Sequence, residues 1–457
     1  MSSTEDEYEI SYVRSEMLEE GAPPIRARGV VSWIRLNLFS SWTSSIATLI
    51  SIYVLYVIIP PFINFVFTNA VWTGTGREAC STQAQGGLQP NGWFGACWSY
   101  VDAYFGQFIY GRYPLEERWR VNLVFVLFFG GLIPLVIPRA PFKPANVAFM
   151  LVVFPVASFI LLTGGHVGYT GFLIPDSIMA PSLLKFVLEY VVITAIFMGI
   201  GLAFARGTEN DPKPILVSIL AIMAGIAVVL AICGINFGLP WVETTRWGGL
   251  LVTLVIAVTG IAASLPFGIL LALGRRSQLP VVRMFSIIFI EFWRGVPLIT
   301  VLFMASVMLP LFLPDGVTFD KLFRALVGVA MFAAAYMAET IRGGLQAIPR
   351  GQYEGAMALG LSSWQMMGMI VLPQALKIVI PGIVNIFIGL FKDTTLVLII
   401  GLFDFLGQIQ SSFSDSTWAS PVQVLTAYTF AVGIYFIFCF GMGQYSRYME
   451  RRLHTGH

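Results

Sequence analysis

Charged residues are what this sequence has least of. Aspartate, glutamate, lysine and arginine make up 11% of its 457 residues, against about 25% in a typical soluble domain. Hydrophobic residues make up 57%, so most of the chain is expected to lie in lipid. The net charge of +2 says little about partners, and nothing in the sequence indicates a nucleic-acid partner.

Signatures of catalysis and metal binding are also missing. The four cysteines form no C-x-x-C pair, and His166, His454 and His457 have no ligand or catalytic spacing. No Ser–His–Asp set or carboxylate dyad is recognisable. The phosphate-binding pattern G-x-x-x-x-G-K-[ST] does not occur. We therefore expect a protein that is not an enzyme and binds neither a metal nor a cofactor itself.

Long apolar runs dominate what is present, and each is long enough to cross a hydrocarbon core of about 30 Å. They predict an all-α membrane protein with about ten spans. These are Ser45–Phe67, Val121–Ile137, Val147–Thr163, Leu183–Ala205, Ile215–Cys233, Gly249–Leu273, Val282–Leu311, Phe323–Ile341, Ala375–Leu390 and Pro421–Tyr445. We divide the chain into residues 1–44, a transmembrane extension at 45–244 with an external loop at 68–119, and a core at 245–457.

The N-terminal segment is polar before it becomes amphipathic. Met1–Arg28 is predicted to be a disordered cytosolic tail, and its acidic residues do not fit the basic start of a secretory signal peptide. Val30–Trp42 carries an apolar stripe typical of a helix in the membrane interface. The alternative is that this segment only extends the first span.

Orientation follows from the arginines, which cluster in loops that ten spans would place on one side. We expect that side, with both termini, to be cytosolic. Cys80 and Cys97 are the only cysteines outside a span, and they lie in the external loop. Outside the cytosol a disulfide is allowed; a bond and two free thiols both remain open.

The stretch Glu354–Pro373 is the most structured segment between two spans. A helix is predicted over Tyr353–Leu359, and Gly360 can end it in the left-handed conformation. A second helix is predicted to run to Leu372, with Pro373 opening the next apolar segment. This helix–turn–helix is typical of a docking surface.

The spacing of that stretch resembles the EAA loop of ABC importer permeases: E-A-A, three residues, G, nine residues, I-x-L-P. The matching residues are Glu354, Gly355, Ala356, Gly360, Ile370, Leu372 and Pro373. Gly355 stands where the pattern has alanine, which loosens the helix by about 1 kcal/mol. The whole loop is taken as residues 346–373.

Other segments narrow the resemblance to one group of importer permeases. EFWRGVP at Glu291–Pro297 and FKDTTLVLIIG at Phe391–Gly401 are similar to permeases of polar amino acid ABC importers. This implies a five-helix type I importer core. Trp119–Pro138 and YGRYPLEER at Tyr110–Arg118 look like the larger permease of general L-amino-acid importers of the Aap/Bzt type.

The resemblance implies an inner-membrane subunit that moves L-amino acids into the bacterial cytosol by alternating access. Its partners would be a second homologous permease, two ATPases that bind ATP and Mg²⁺, an external amino-acid-binding protein, and lipid. Glu354, Ala356 and Gly360 would provide ATPase contact and the turn, while the later matching residues seat the loop. The alternative is an ion-gradient-driven secondary carrier, which predicts inverted repeats with broken helices; we find none.

Charged residues within spans are costly and mark a pathway or internal salt bridges. Two pairs have helical spacing, since their members are three positions apart. A third pair is adjacent in sequence, and both signs would suit an amino-acid substrate. The candidates are Glu291 with Arg294, Glu339 with Arg342, and Lys392 with Asp393.

Overall fold

The computed structural model describes residues 29–137, 140–169, 171, 173–174, 178–207, 211–313 and 319–453. The predicted tail at Met1–Arg28 lies outside them. The described part is almost entirely helical, with isolated backbone bridges and no strand. The all-α class is therefore confirmed.

The α-helices are, in chain order, α1 Val30–Asn37, α2 Trp42–Ile63, α3 Trp98–Tyr110, α4 Arg118–Val136, α5 Lys143–Ala148, α6 Phe154–Thr163, α7 Leu183–Gly207, α8 Pro212–Cys233, α9 Gly249–Arg275, α10 Pro280–Gly295, α11 Leu298–Phe303, α12 Lys321–Ala347, α13 Arg350–Ala358, α14 Ser363–Met366, α15 Leu372–Asp393, α16 Phe405–Ser411 and α17 Gln423–Leu453. Short 3-10 and π-helical turns extend several of them.

The predicted count of about ten spans is confirmed as nine or ten. In the described residues, nine helices are long and apolar enough to cross a membrane. A tenth span is possible if Pro280–Gly295 and Leu298–Phe312 are counted together, but they meet at 103°. The continuous span predicted at Val282–Leu311 is therefore wrong in shape. Pro297 disfavours helical backbone at the residue before it, and Val296 is extended, with φ −106° and ψ 130°.

The chain forms two compact units, and the smaller contains residues up to Ala70 together with Gly92–Ala96. Within it, α1 is a separate helix that ends at Asn37, so the predicted amphipathic segment is not a simple extension of α2. Ser41 caps α2 by accepting a hydrogen bond from Ser44 N at 3.1 Å. Thr48 Oγ1 donates to Leu38 O at 2.6 Å and fixes the corner. The placement of α1 in the membrane interface stays a prediction.

The larger unit contains Val71–Asn91 and the chain from Cys97 onward, and its core is the pair α9 and α12. Small residues let these helices approach closely, as is common in membranes. A Cβ at Gly268 would lie 2.5 Å from Met337 Cγ and 3.1 Å from Ala338 N. The contact fixes where the charged ends of both helices lie.

The long loop before α4 is ordered rather than slack. Cys80 and Cys97 are joined by a disulfide, with their Cα atoms 5.7 Å apart. The Cys97 N–H donates to Thr426 Oγ1 in α17 at 2.9 Å, and Tyr100 hydrogen-bonds Ser412. Within the larger unit, this loop therefore packs on the chain around α16 and α17.

Candidate functional site

The segment with the EAA spacing folds as a helical hairpin whose corner is Gly360. This residue has φ +72°, a left-handed conformation that favours glycine. Its N–H donates to Met357 O at 2.9 Å, and the Leu361 N–H donates to Ala356 O at 3.2 Å. These two bonds satisfy carbonyls at the end of α13 in a Schellman cap. The predicted helix end at this glycine is confirmed.

The second arm of the hairpin begins at Ser362, which forms a capping box with Gln365. The Gln365 N–H donates to Ser362 Oγ at 3.4 Å, and the Ser362 N–H donates to Gln365 Oε1 at 3.0 Å. Pro373 lies in the first turn of α15, as predicted, but no break separates this arm from that helix. The arm continues through a π-helical turn at Met367–Val371 into α15. A wider turn relieves the clash between a proline ring and the preceding turn's carbonyls.

The hairpin exposes one face and buries the other. Glu354 and Gly355 are exposed, and Ile370 and Leu372 are half-buried. Ala356, expected to contact an ATPase, is only 2% exposed, so its surface is not available to a partner in this structure. Pro373 is exposed rather than seated in a core. The exposed large apolar side chains are Met357, Leu359, Trp364 and Met369, of which Leu359 is 77% and Trp364 69% exposed.

Tyr353 fastens the hairpin to the neighbouring spans. Its hydroxyl donates to Leu345 O in α12 at 3.2 Å and accepts from Arg276 Nη1 at 3.0 Å. The Arg276 guanidinium also lies 5.5 Å from the centroid of the tyrosine ring, a cation–π distance. A displacement of α13 would therefore act directly on α12 and on the end of α9.

Next to this anchor, the two helical charge pairs merge into one cluster. Arg275 Nη1 lies 2.8 Å from Glu291 Oε1 and 3.5 Å from Glu339 Oε2. Arg294 Nη1 lies 3.7 Å from Glu339 Oε2 and 3.9 Å from Glu291 Oε2. Arg342 Nε donates to Glu339 Oε1 at 2.8 Å. Three arginines and two glutamates leave a net charge of +1, shared by α9, α10 and α12.

Glu339 is the centre of this cluster, because all three arginines lie near its carboxylate. It is 21% exposed. Its Oε2 atom has two long ion contacts but no hydrogen bond, although it is buried. An ammonium group could use this free acceptor, and the surplus positive charge would suit a carboxylate. The cluster therefore contains both kinds of group that an amino acid requires.

The comparisons with known proteins fit this geometry. The family model "Binding-protein-dependent transport system inner membrane component" matches residues 264–455. The inner membrane amino-acid ABC transporter permease protein YhdY of Escherichia coli K12 is 43% identical over 424 residues, covering 93% of each chain. The chain is an amino-acid ABC transporter permease. A second relative of this permease is BztC of Rhodobacter capsulatus, a glutamate/glutamine/aspartate/asparagine transport system permease protein. It is 39% identical, over 98% of this chain and 99% of its own.

A solved structure described as an amino acid ABC transporter with histidines is also similar to the permease. It is 28% identical with a TM-score of 0.40, over 45% of this chain and 92% of that chain.

The permease does not bring every predicted residue to one place. Lys392 and Asp393 lie at the end of α15 away from the hairpin, and in the described chain no ion pair within 4 Å involves either. Sequence reasoning missed Arg275 and Tyr353. The double arginine that ends α9 was a signal of charge, but nothing local assigned Arg275 to glutamates sixteen or more residues away.

Proposed function

We propose that the permease is the transmembrane subunit of an ATP-driven importer that moves L-amino acids into the cytosol. The observation that carries this proposal is the exposed surface of the hairpin between two spans, where Glu354 and the apolar side chains of Met357, Leu359 and Trp364 are all exposed. Exposed apolar side chains grouped in this way mark a protein contact. Since the sequence has no phosphate-binding loop, ATP and Mg²⁺ would be bound by a separate ATPase docked here.

The number of permease subunits can be inferred from the number of hairpins, because this chain has one. An importer with two ATPases needs two such docking surfaces, so we infer a second, homologous permease beside this chain. An external binding protein would deliver the substrate. The arginines at the junction of α9 and α10 (Arg275, Arg276 and Arg283) and near the end of α17 (Arg447, Arg451 and Arg452) support a cytosolic location for the hairpin and the termini in a bacterial inner membrane.

The substrate class is supported by the relatives and by the charges. BztC is named as a permease for glutamate, glutamine, aspartate and asparagine. We propose that this permease also transports polar amino acids of this kind. The cluster around Glu339 offers a free carboxylate oxygen and excess arginine. These groups would face an ammonium and a carboxylate during passage.

Alternating access would use the link through Tyr353. ATP-driven closure of the ATPases would move α13, and the Tyr353–Arg276 contact would pass this motion to the end of α9. Arg275 is the next residue and holds Glu291 of α10. Rocking of α9 and α12 against α10 would then open or close the cytosolic side.

Glu354→Lys tests the docking role. Glu354 is exposed, so reversal of its charge should abolish ATP-driven uptake in proteoliposomes while leaving the amount of permease in the membrane unchanged. Glu450→Lys is the matched control, because Glu450 is also exposed and is predicted to lie on the same side of the membrane. Normal uptake by Glu354→Lys would contradict the proposal.

Uptake by the same vesicles also distinguishes an ATP-driven importer from an ion-gradient-driven carrier. An importer requires ATP and should be insensitive to a protonophore when ATP is supplied inside. Uptake without ATP that collapses when the ion gradient is dissipated would instead establish an ion-gradient-driven carrier. Co-purification of an ATPase from mild detergent should accompany the first outcome.

A further inference from the structure

A second polar site lies at the end of the core spans away from the hairpin. There a cavity of about 190 Å³ is lined by Arg112, Thr244, Thr245, Trp247, Lys321 and Gln408, among others. Lys321 begins α12, whereas the hairpin follows the other end of this helix. At 27 residues, α12 spans about 40 Å. By the proposed orientation, the cavity faces the outside.

Two cations border the cavity without a carboxylate partner. Arg112 lies over the Phe403 ring at 5.8 Å from its centroid, and Lys321 Nζ approaches Gly401, 3.6 Å from where a Cβ would stand. Phe403 and Gly401 both line the cavity. Within the described chain, neither cation forms an ion pair within 4 Å. The cavity is therefore bordered by two cations that are not held in ion pairs, while the neighbouring carboxylates, Asp320 and Glu243, contact its threonines instead.

A buried donor borders the same cavity. Trp247 is 7% exposed, and its indole Nε1 has no hydrogen-bond partner among the described residues. A buried N–H without an acceptor costs stability, so its retention at a cavity wall points to an acceptor supplied from outside. Together with the two cations, this donor favours a bound anion.

Two hydroxyl groups at the cavity can act as hydrogen-bond acceptors. Thr244 Oγ1 donates its proton to Asp320, and Thr245 Oγ1 donates to Glu243 at 3.0 Å. Because both protons are engaged, these threonine oxygens can act only as acceptors for a further hydrogen bond. Neither carboxylate lines the cavity, so Asp320 and Glu243 orient the hydroxyls without closing the site to an anion.

We propose that this cavity is a binding site for a free α-amino acid at the outer end of the permease. The carboxylate would bind Arg112, Lys321 and the Trp247 N–H, and the ammonium would donate to the threonine oxygens. The ligand class rests on the proposed transport of amino acids, but binding here requires no ATPase. The cavity is smaller than a typical drug-sized pocket of 300 Å³ or more, which suits the polar end of a small ligand.

Calorimetric titration of L-glutamine tests the site, using the full chain in lipid nanodiscs with the subunits that co-purify. Arg112→Gln and Lys321→Gln should each weaken binding about tenfold, the usual effect of losing a hydrogen bond to a charged group. Trp247→Phe keeps the ring but removes the N–H and should also weaken binding. Arg246→Gln is the matched control, since Arg246 is an exposed cation on the same segment but does not line the cavity.

Ligand analogues test which group binds where. L-glutamine α-amide lacks the carboxylate and should not bind, and N-acetyl-L-glutamine lacks the ammonium and should bind more weakly. Wild-type glutamine affinity in both Arg112→Gln and Lys321→Gln would overturn the proposal, as would equal binding of glutamine and its α-amide. Loss of ATP-driven uptake in Glu354→Lys with intact glutamine binding would separate this site from the coupling function.

Discussion

Gly360→Ala tests the backbone conformation of the hairpin turn without changing a side-chain contact. Gly360 has φ +72°, and no atom lies within 4 Å of the position that a Cβ would take. An alanine there would meet no steric neighbour outside its own backbone. The whole effect of the substitution therefore comes from holding an L-residue in the left-handed region.

The expected magnitude is about 1–2 kcal/mol of lost local stability, the cost of the left-handed conformation for a residue with a Cβ. Gly355→Ala is a control for which the expected change in local stability has the opposite sign. Gly355 lies inside α13, and a Cβ there also meets nothing within 4 Å. Because glycine in a helix interior is destabilising, alanine at this position should gain about 0.5–1 kcal/mol.

Hydrogen exchange measured by mass spectrometry on the full chain in nanodiscs would report both effects. Peptides covering α13, Arg350–Ala358, should exchange roughly tenfold faster in Gly360→Ala, because 1.4 kcal/mol is a factor of ten in an opening equilibrium. The same peptides should exchange more slowly in Gly355→Ala. Gly360→Asn should lie between wild type and alanine, since asparagine tolerates the left-handed region better.

Exchange shifts of the same sign in Gly355→Ala and Gly360→Ala would refute this reasoning. Such a result would mean that packing, not backbone conformation, decides the stability of the hairpin. Unchanged exchange in both variants would mean that α13 opens only together with the spans to which Tyr353 fastens it.

Three further predictions concern other parts of the chain. Glu339→Gln leaves three arginines around one glutamate, so we expect a loss of about 2 kcal/mol and a lower melting temperature in detergent; an unchanged one would show that the cluster adds no stability. Burial raises the pKa of Asp404 from 3.8 to about 6. The folded state thus holds a proton that the unfolded chain has lost, and stability should fall as pH rises through this window; Asp404→Asn, which can still accept from Gly407 N at 2.9 Å, should flatten the pH dependence of the melting temperature. Replacing Cys80 and Cys97 by serine opens a link across 17 residues and should cost about 3 kcal/mol; melting of the variant should no longer respond to reductant, unlike wild type.

The spans could be predicted because length and apolar composition alone determine whether a helix can cross a bilayer. The break near Val296 and Pro297 could have been found from the same sequence, since proline restricts the residue before it. We missed it because the predicted span is thirty residues long, and hydropathy does not show whether a helix changes direction within such a span. Pro373 begins α15 as predicted, but the π-helical turn at Met367–Val371 that joins this helix to the hairpin without a break could not be read from any local pattern.

The charged cluster shows where sequence reasoning stops. Spacing of three residues correctly placed Glu339 beside Arg342 and Glu291 near Arg294. It could not join the pairs, because that depends on how α9, α10 and α12 cross. The crossing is set by contacts such as Gly268 against Met337, whose partners are about seventy residues apart. Ala356 is a similar case, since the motif named it but only the packing determined its burial.

The way the cluster is held together indicates which helices would separate during transport. α9 and α12 are closely packed through small residues along their length, and Tyr353 fastens the hairpin to both. At the cluster, by contrast, α10 is joined to α9 by the ion pair of Glu291 with Arg275 and to α12 by the ion pair of Arg294 with Glu339. Glu291 is half exposed and Arg294 is about one-third exposed. Water competes with such pairs, so each contributes only about 0–1 kcal/mol. We therefore propose that motion of the hairpin carries α9 and α12 together and that the ion pairs to α10 break first, which would open a path for an amino acid there.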